Sequence, residues 1–264
     1  MLRLGALAAL TALAGAMGYR NIFRYELSRQ SFALPGLMAP LRAVQLSDLH
    51  YGPFLDEHDV SRWVSSAMQQ RPDVVLLTGD FIDSRSQRDP APLFAALKPL
   101  SAPLGVWAVW GNHDRISRAR LQMLESEFTG LGFGILNNRS VRLRPDLQLA
   151  GIDDYRLGSP DVHAALAGRE PGAATLLLSH NPDVLPELPA GSVELVLAGH
   201  THGGQLSLPL IGPLVTGSRY GQRYAEGWVS ASVPAYVNRG LGVSGLPLRA
   251  FCPPELTVFE LVPA

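Results

Sequence analysis

Asp48 and His50 stand one residue apart in "LSDLHYGPF" (46–54), where an apolar stretch gives way to a loop. Four later stretches end in the same way. "DVVLL" (73–77) runs into Thr78-Gly79-Asp80, and "GVWAVW" (105–110) into Gly111-Asn112-His113-Asp114. "ATLLL" (174–178) runs into Ser179-His180, and "VELVLA" (193–198) into Gly199-His200-Thr201-His202. Taken singly, Asp80 behind Gly79 and Asn112 behind Gly111 are ordinary turn formers, and His180 alone reads as a satisfied polar residue. Taken together, five of the seven histidines close apolar runs, each within two residues of Gly, Ser or Asp. Chance placement explains that poorly; a metal site explains it well.

The donors are carboxylate, amide oxygen and imidazole, with no thiolate. That set suits borderline divalent ions such as Mn²⁺, Fe²⁺, Co²⁺, Ni²⁺ or Zn²⁺, with Mn²⁺ the first choice. Asp48, His50, Asp80, Asn112, His180, His200 and His202 are too many for one tetrahedral ion and enough for two ions sharing a carboxylate. Two ions roughly 3.5–4 Å apart clamp the attacking and leaving oxygens of an in-line displacement at phosphorus.

The elements that must bring these residues together alternate. "RAVQL" (42–46) and the four runs above read as buried strands. A helix over "DVSRWVSSAMQQ" is capped by Asp56 with Asp59 behind it. Further helices are expected at "FAALKPL", at "SRARLQMLESEF" with Gly130 as its stop, and at "VHAALA". Strands are expected at 147–152, 234–237 and 256–261. Such alternation points to one layered α/β domain, and in α/β folds ligands bind beyond the carboxyl ends of the strands. The five loops are therefore expected to meet.

The whole chain, 264 residues and 47% hydrophobic, is long enough for that domain. Its 22 basic and 23 acidic residues give no broad basic surface for nucleic acid. Cys252 is the single cysteine, which excludes an internal disulfide and a thiolate cluster. The N-terminus differs. "LGALAALTALAGAMGY" (4–19) is uncharged between Arg3 and Arg20, and as a helix would span about 24 Å, short for a bilayer and close to a signal-peptide core. A buried helix is possible, but the segment lacks an amphipathic stripe. We read 1–19 as an anchor or interfacial helix in preference to a removed signal, and 20–40 as a connecting segment before a domain at 41–264. Phe23, Tyr25, Phe32, Leu34, Leu37 and Met38 in that connection would lie along a bilayer, with Arg20, Arg24 and Arg29 at the headgroups. The excess of Arg after the segment tilts the catalytic domain to the cytoplasmic face of the inner membrane, with export as the alternative.

"DLH", "GD", "GNHD", "SH" and "GHTHGGQ", in this order, resemble the five signature motifs of the calcineurin-like metallophosphoesterase superfamily. The hydrophobic N-terminus, "GHTHGGQLSLPLIGP" and "YVNRGLGVSGLPLRAFCPPELTVFEL" resemble one branch of it, the small bacterial membrane-associated phosphoesterases that include a UDP-2,3-diacylglucosamine pyrophosphatase. The resemblance implies a four-layer α/β/β/α sandwich. It assigns Asp48, His50 and His202 to one ion, Asn112, His180 and His200 to the other, and Asp80 to both. It also implies a bridging water, largely hydroxide at neutral pH, as nucleophile. His113 resembles the family's acid for the leaving group, with Asp114 fixing its tautomer and keeping it cationic. The expected substrate is a phosphodiester or pyrophosphate on a nucleotide-linked glycolipid.

Other residues carry less. Asp83 stands three residues after Asp80, where the related purple acid phosphatases carry a metal-binding tyrosine, which counts against that branch. Asp153 and Asp154 read as closing a turn, Arg239 and Arg249 as surface arginines, Cys252 as core. Apolar residues of "QLSLPLIGPLV" (205–215) suit an acyl chain or a core equally. A nuclease of the same superfamily would want a basic groove, and a non-catalytic scaffold would not need every ligand position filled.

Overall fold

The apolar runs between the candidate residues do form strands. In a computed structural model of the chain, which describes residues 18–264, the strands in chain order are β1 (Glu26–Leu34), β2 (Leu41–Leu46), β3 (Val74–Leu77), β4 (Val106–Ala108), β5 (Gly134–Ile135), β6 (Arg139–Arg144) and β7 (Leu147–Gly151). They continue with β8 (Ala174–Leu178), β9 (Leu195–Ala198), β10 (Ser207–Leu208), β11 (Gly212–Pro213), β12 (Gly227–Val229), β13 (Ala235–Val237) and β14 (Glu255–Pro263). Four helices, α1 (Glu57–Gln69), α2 (Ala91–Leu97), α3 (Arg118–Gly130) and α4 (Val162–Leu166), lie between them.

One six-stranded sheet has the order β1-β14-β2-β3-β4-β5 and the other β12-β13-β9-β8-β7-β6. Neighbours from β2 to β5 are parallel, as are β7, β8, β9 and β13, so the carboxyl ends of the site-bearing strands share one edge of each sheet. The strands are apolar on both faces, and successive residues part company. Val74 and Leu76 face the second sheet, where they meet Leu149, Leu176, Leu178, Leu195 and Leu197. Val75 and Leu77 face outward onto Val60, Trp63 and Val64 of α1 and Phe128 of α3. Across the sandwich, Leu177 and Val196 face Ala165 of α4. The layers are thus α/β/β/α, as expected.

Helix α1 starts where its capping residues place it. The Asp56 carboxylate accepts from the His58 and Asp59 amides, and the Asp59 carboxylate accepts from the Asp56 amide. Helix α3 runs two residues past the expected stop. Gly130 is its last helical residue and Gly132, at φ +78°, takes the left-handed position after the cap. Phe133, 6% exposed, follows and packs onto Phe128 at 5.5 Å between centroids.

The segment 20–40 is not a connection. It supplies β1, paired in parallel with β14 from Glu26↔Glu255 to Leu34↔Pro263. Leu34 and Leu37 are buried, Phe32 stacks on Trp228 at 5.1 Å, and Phe23 and Tyr25 pack against the outer core. Of the six residues expected along a bilayer, Met38 is the one left mostly exposed. The polar, edge-strand character of "ELSRQSFAL" hides a pairing made 229 positions away. Leu34→Ala is expected to cost about 2–5 kcal/mol of stability, read as a lower urea midpoint; an unchanged midpoint would detach β1 from the fold. The expected anchor at 1–19 lies outside the described residues except for Gly18 and Tyr19. Among the described residues no helix is long and apolar enough to cross a membrane.

Candidate metal centre

Beyond the strand ends the backbone turns in an uncommon way. Asp48, His50, Asp80, His200 and His202 all have φ between 47° and 73°, the left-handed region that side chains other than Gly rarely adopt. Such conformations cost on the order of 1–3 kcal/mol each and collect at functional sites. The loops hold one another in place: the Asp48 amide donates to Gly79 O (2.9 Å), and the His50 amide to Asp80 O (3.0 Å). Gly111 and Gly199 allow the close approach, since a Cβ on Gly111 would overlap Asp80 Oδ1 and one on Gly199 would overlap Ser47 Oγ.

The candidate ligands meet in two groups, Asp48 with His50 and His202, and Asp80 with His180 and His200, and His113 stands with His50 and Asp80 in a third that overlaps both. His202 Nε2 lies 3.0 Å from His50 Nε2 and 3.4 Å from Asp48 Oδ1. In the second group, His200 Nδ1 is 3.1 Å from His180 Nε2. Asp80 Oδ2 faces both groups, 3.3 Å from His180 Nε2 and 3.5 Å from His50 Nε2. Its Oδ1 accepts from the His113 amide at 2.8 Å.

These contacts fit cations better than they fit one another. Imidazole nitrogens approach in pairs, and Asn112 Oδ1 is buried without a hydrogen-bond partner. A buried polar atom left unpaired is costly. His180 Nδ1 donates to Thr78 O at 2.7 Å, which turns its Nε2 to the centre. Burial pushes His50 and His200 down to about 3, which keeps them unprotonated. Burial, with His50 and Arg249 close by, also holds His202 well below the usual range. Burial opposes the charge on Asp80, but the imidazoles of His180 and His50 overcome it and hold the carboxyl well below its usual range. Against the same burial, Asp80 raises His180 well above its usual range.

Asp48 differs, raised to about 6 by burial against the help of His180. Its proton competes with a cation as pH falls through 6. The proton on His180 competes across neutral pH as well, whereas the depressed imidazoles do not compete. Cation affinity of the stripped protein is therefore expected to fall with pH through His180, and about tenfold per unit more steeply below 6, where Asp48 adds its proton. Mn²⁺ titration calorimetry from pH 7.5 to 5 checks this; an unchanged slope through pH 6 would remove Asp48 from the site.

His113 and Asp114 do not act as a pair. Asp114, fully buried, accepts from the Asp80, Phe81 and Gly111 amides and so ties the second and third loops together. Burial, with Asp80 near, pushes its carboxyl up to about 7. The His113 ring is instead oriented by the Ser84 amide, which donates to Nδ1 at 2.9 Å. The neutral ring then carries its proton on Nε2, and a second N–H at Nδ1 would oppose that of Ser84. Asp114 therefore neither fixes the tautomer nor keeps His113 cationic. Ser84 was invisible in the sequence because a backbone amide has no residue signature.

Arg249 is not a surface residue. It is fully buried, donating from Nη2 to the Arg239, Gly240 and Gly242 carbonyls and from Nη1 to His202 O, with Nη2 3.2 Å from His202 Nδ1. It holds the last loop and the C-terminal segment together. Arg239 is paired with Glu26, Glu226 and Glu255. Asp83 accepts from Arg85 and stands 3.7 Å from His50 Nδ1, behind the ring. Asp153 and Asp154 do close a turn, accepting from the Ser159 amide and from the Arg156 and Leu157 amides. Cys252 is buried.

A cavity of about 410 Å³ opens over the two groups. Asp80, Asn112, His113, Arg156, His200 and His202 line it, together with Leu206, Leu214, Val215 and Leu246.

Residues 41–204 match the family described as Calcineurin-like phosphoesterase. The "Uncharacterized metallophosphoesterase YkuE" of Bacillus subtilis is 35% identical over 271 residues, covering 97% of this chain and 94% of that protein. "Phosphodiesterase YaeI" of Escherichia coli is 31% identical over 268 residues, covering 98% and 97%. "UDP-2,3-diacylglucosamine pyrophosphatase LpxG" of Chlamydia trachomatis is 29% identical over 301 residues, covering 91% and 89%.

Proposed function

The chain belongs to the calcineurin-like phosphoesterase family and is a metal-dependent phosphoester hydrolase, and from that premise we propose that it cleaves a phosphodiester or pyrophosphate on a lipid-linked substrate such as UDP-2,3-diacylglucosamine. The observation that carries this reading is the mixed lining of the cavity, where the nitrogen and oxygen cluster and four aliphatic side chains meet. The similarity to the Chlamydia trachomatis UDP-2,3-diacylglucosamine pyrophosphatase supports the same substrate class.

Asp48, His50 and His202 would hold one divalent cation, Asn112, His180 and His200 a second, and Asp80 both. Mn²⁺ is the first choice, with Fe, Zn, Co or Ni as alternatives. When bound, the pair supplies Lewis-acid charge and an acidified water. The chain's own residues do the rest. His113 turns its Nε2–H to the cavity, where it hydrogen-bonds the leaving oxygen as charge builds there, with Ser84 holding the ring. Arg156 on the rim meets the phosphoryl oxygens, and the aliphatic side chains exclude water on the lipid side. The apolar segment 1–19 would keep the enzyme at the inner membrane, its catalytic domain on the cytoplasmic face.

The test is stripped protein reloaded with Mn²⁺ and assayed on a phosphomonoester, a bis-nitrophenyl diester and UDP-2,3-diacylglucosamine. The diester and the nucleotide lipid should turn over and the monoester lag well behind. Preference for the monoester would overturn the reading.

A further inference from the structure

An apolar surface adjoins the mouth of the cavity, and among the described residues nothing covers it. The hairpin β10–β11 and the strand-like segment after it carry Leu210 at 108% exposure, Ile211 at 61% and Val215 at 76%. Residues 206–218 contain no charged side chain. The loop 244–251 continues the surface with Leu246 and Phe251, the latter 73% exposed. The two segments form one unit. Leu206 bridges to Ala250, the Ser207 amide donates to Ala250 O, and Gln205 Nε2 donates to Ser244 O and Leu246 O.

The N-terminal chain joins the fold at this same place. The Arg249 amide donates to Gly18 O, and a Cβ on Gly18 would sit 3.3 Å from Leu248. Upstream of Gly18, outside the described residues, positions 4–17 carry no charge. Tyr19 and Arg20, the next two residues, are exposed. Gln222 donates to the Ile211 and Pro213 carbonyls, which sets the exposed Arg219, Tyr220 and Arg223 beside the hairpin. From Gly203 to Pro254 the only acidic residue is Glu226.

We propose that the hairpin 206–215 and the loop 244–251 dock on a lipid bilayer, with the mouth of the cavity turned toward the headgroups. Contiguous exposed aliphatic surface beside a binding mouth marks an interaction site. Three features sharing one side of the molecule identify its occupant: the apolar surface, the point where fourteen uncharged residues enter, and a rim of Tyr and Arg with little acid. An apolar layer bordered by anionic phosphates satisfies all three. Docking in this pose extends the lipid-linked substrate proposed above, and its test needs no substrate.

The full-length chain carries an environment-sensitive NBD label on Leu210→Cys or, as control, on Gln69→Cys. Gln69 lies at the opposite end of the sheets, where Arg42 at the start of β2 donates to Gln70 O. Vesicles of phosphatidylethanolamine and phosphatidylglycerol, with a nitroxide lipid as quencher, are then added. The label at 210 should shift to the blue and be quenched, while that at 69 stays unchanged. Vesicle-bound protein with no difference between labels overturns the proposal. A concentration-dependent dimer without quenching, abolished by Leu210→Asp, overturns it in favour of a second copy of the chain. Leu210→Asp with Ile211→Asp should lower vesicle affinity at least about tenfold and leave soluble diester hydrolysis unchanged; undiminished vesicle affinity overturns the proposal. Quenching at 210 without hydrolysis of any vesicle-borne phosphoester upholds docking and removes the lipid substrate instead.

Discussion

Asp80→Asn should abolish hydrolysis and lower the metal content of the purified protein. Asp80 Oδ2 stands 3.3 Å from His180 Nε2 and 3.5 Å from His50 Nε2, so a single carboxylate oxygen serves both groups. In the amide, Oδ1 still accepts from the His113 N–H, and an NH₂ then takes the shared position. A donor replaces a ligand, and the negative charge between the two groups disappears. Loss of several kcal/mol of transition-state stabilisation corresponds to about three powers of ten in rate or more. Metal analysis and kinetics on reloaded protein check this, with far-UV circular dichroism confirming the fold. Full turnover by the variant after exhaustive chelation would end the shared-carboxylate assignment.

His113→Ala is expected to cost about 10²–10³-fold in turnover, the usual worth of a positioned hydrogen-bond donor to a developing oxyanion, while metal content stays near that of the parent. The ring lines the cavity and reaches it with the Nε2 edge, because the Ser84 amide occupies Nδ1. A donor acting on the leaving group matters most when that group is a poor one. The loss should therefore be small for nitrophenyl esters and large for alkyl esters, and a uniform loss would exclude this role. His113 also stands close enough to His50 and Asp80 to complete a three-donor group. Loss of bound metal in His113→Ala would make it a ligand.

The chain's chemistry is legible along its length because buried parallel strands are short apolar runs, and the residues just after each run are displayed at one edge of a sheet. Asp48, Asp80, Asn112, His180 and His200 could be found in that way, as could a layered α/β domain once the runs were seen to alternate with helices; the α/β/β/α order of the layers was implied by the family resemblance alone. The Asp56 cap and the turn at Asp153-Asp154 were legible for a related reason: they are contacts within six residues, governed by local backbone chemistry. Contacts between distant segments leave no such mark. The pairing of β1 with β14 joins the two ends of the chain, so "ELSRQSFAL" looks like a solvated connection until its partner is known. Arg249 becomes an interior residue only when the carbonyls of residues 239–242 and 202 converge on it. The left-handed backbone at five candidate ligands is imposed by loops braced against one another and not by residue preference. "QLSLPLIGPLV" was compatible with a core or with an open surface, because hydrophobicity states only that water is disfavoured. Which surface takes the water's place is decided by what the rest of the fold brings to that spot, and around Leu210 the described residues bring nothing.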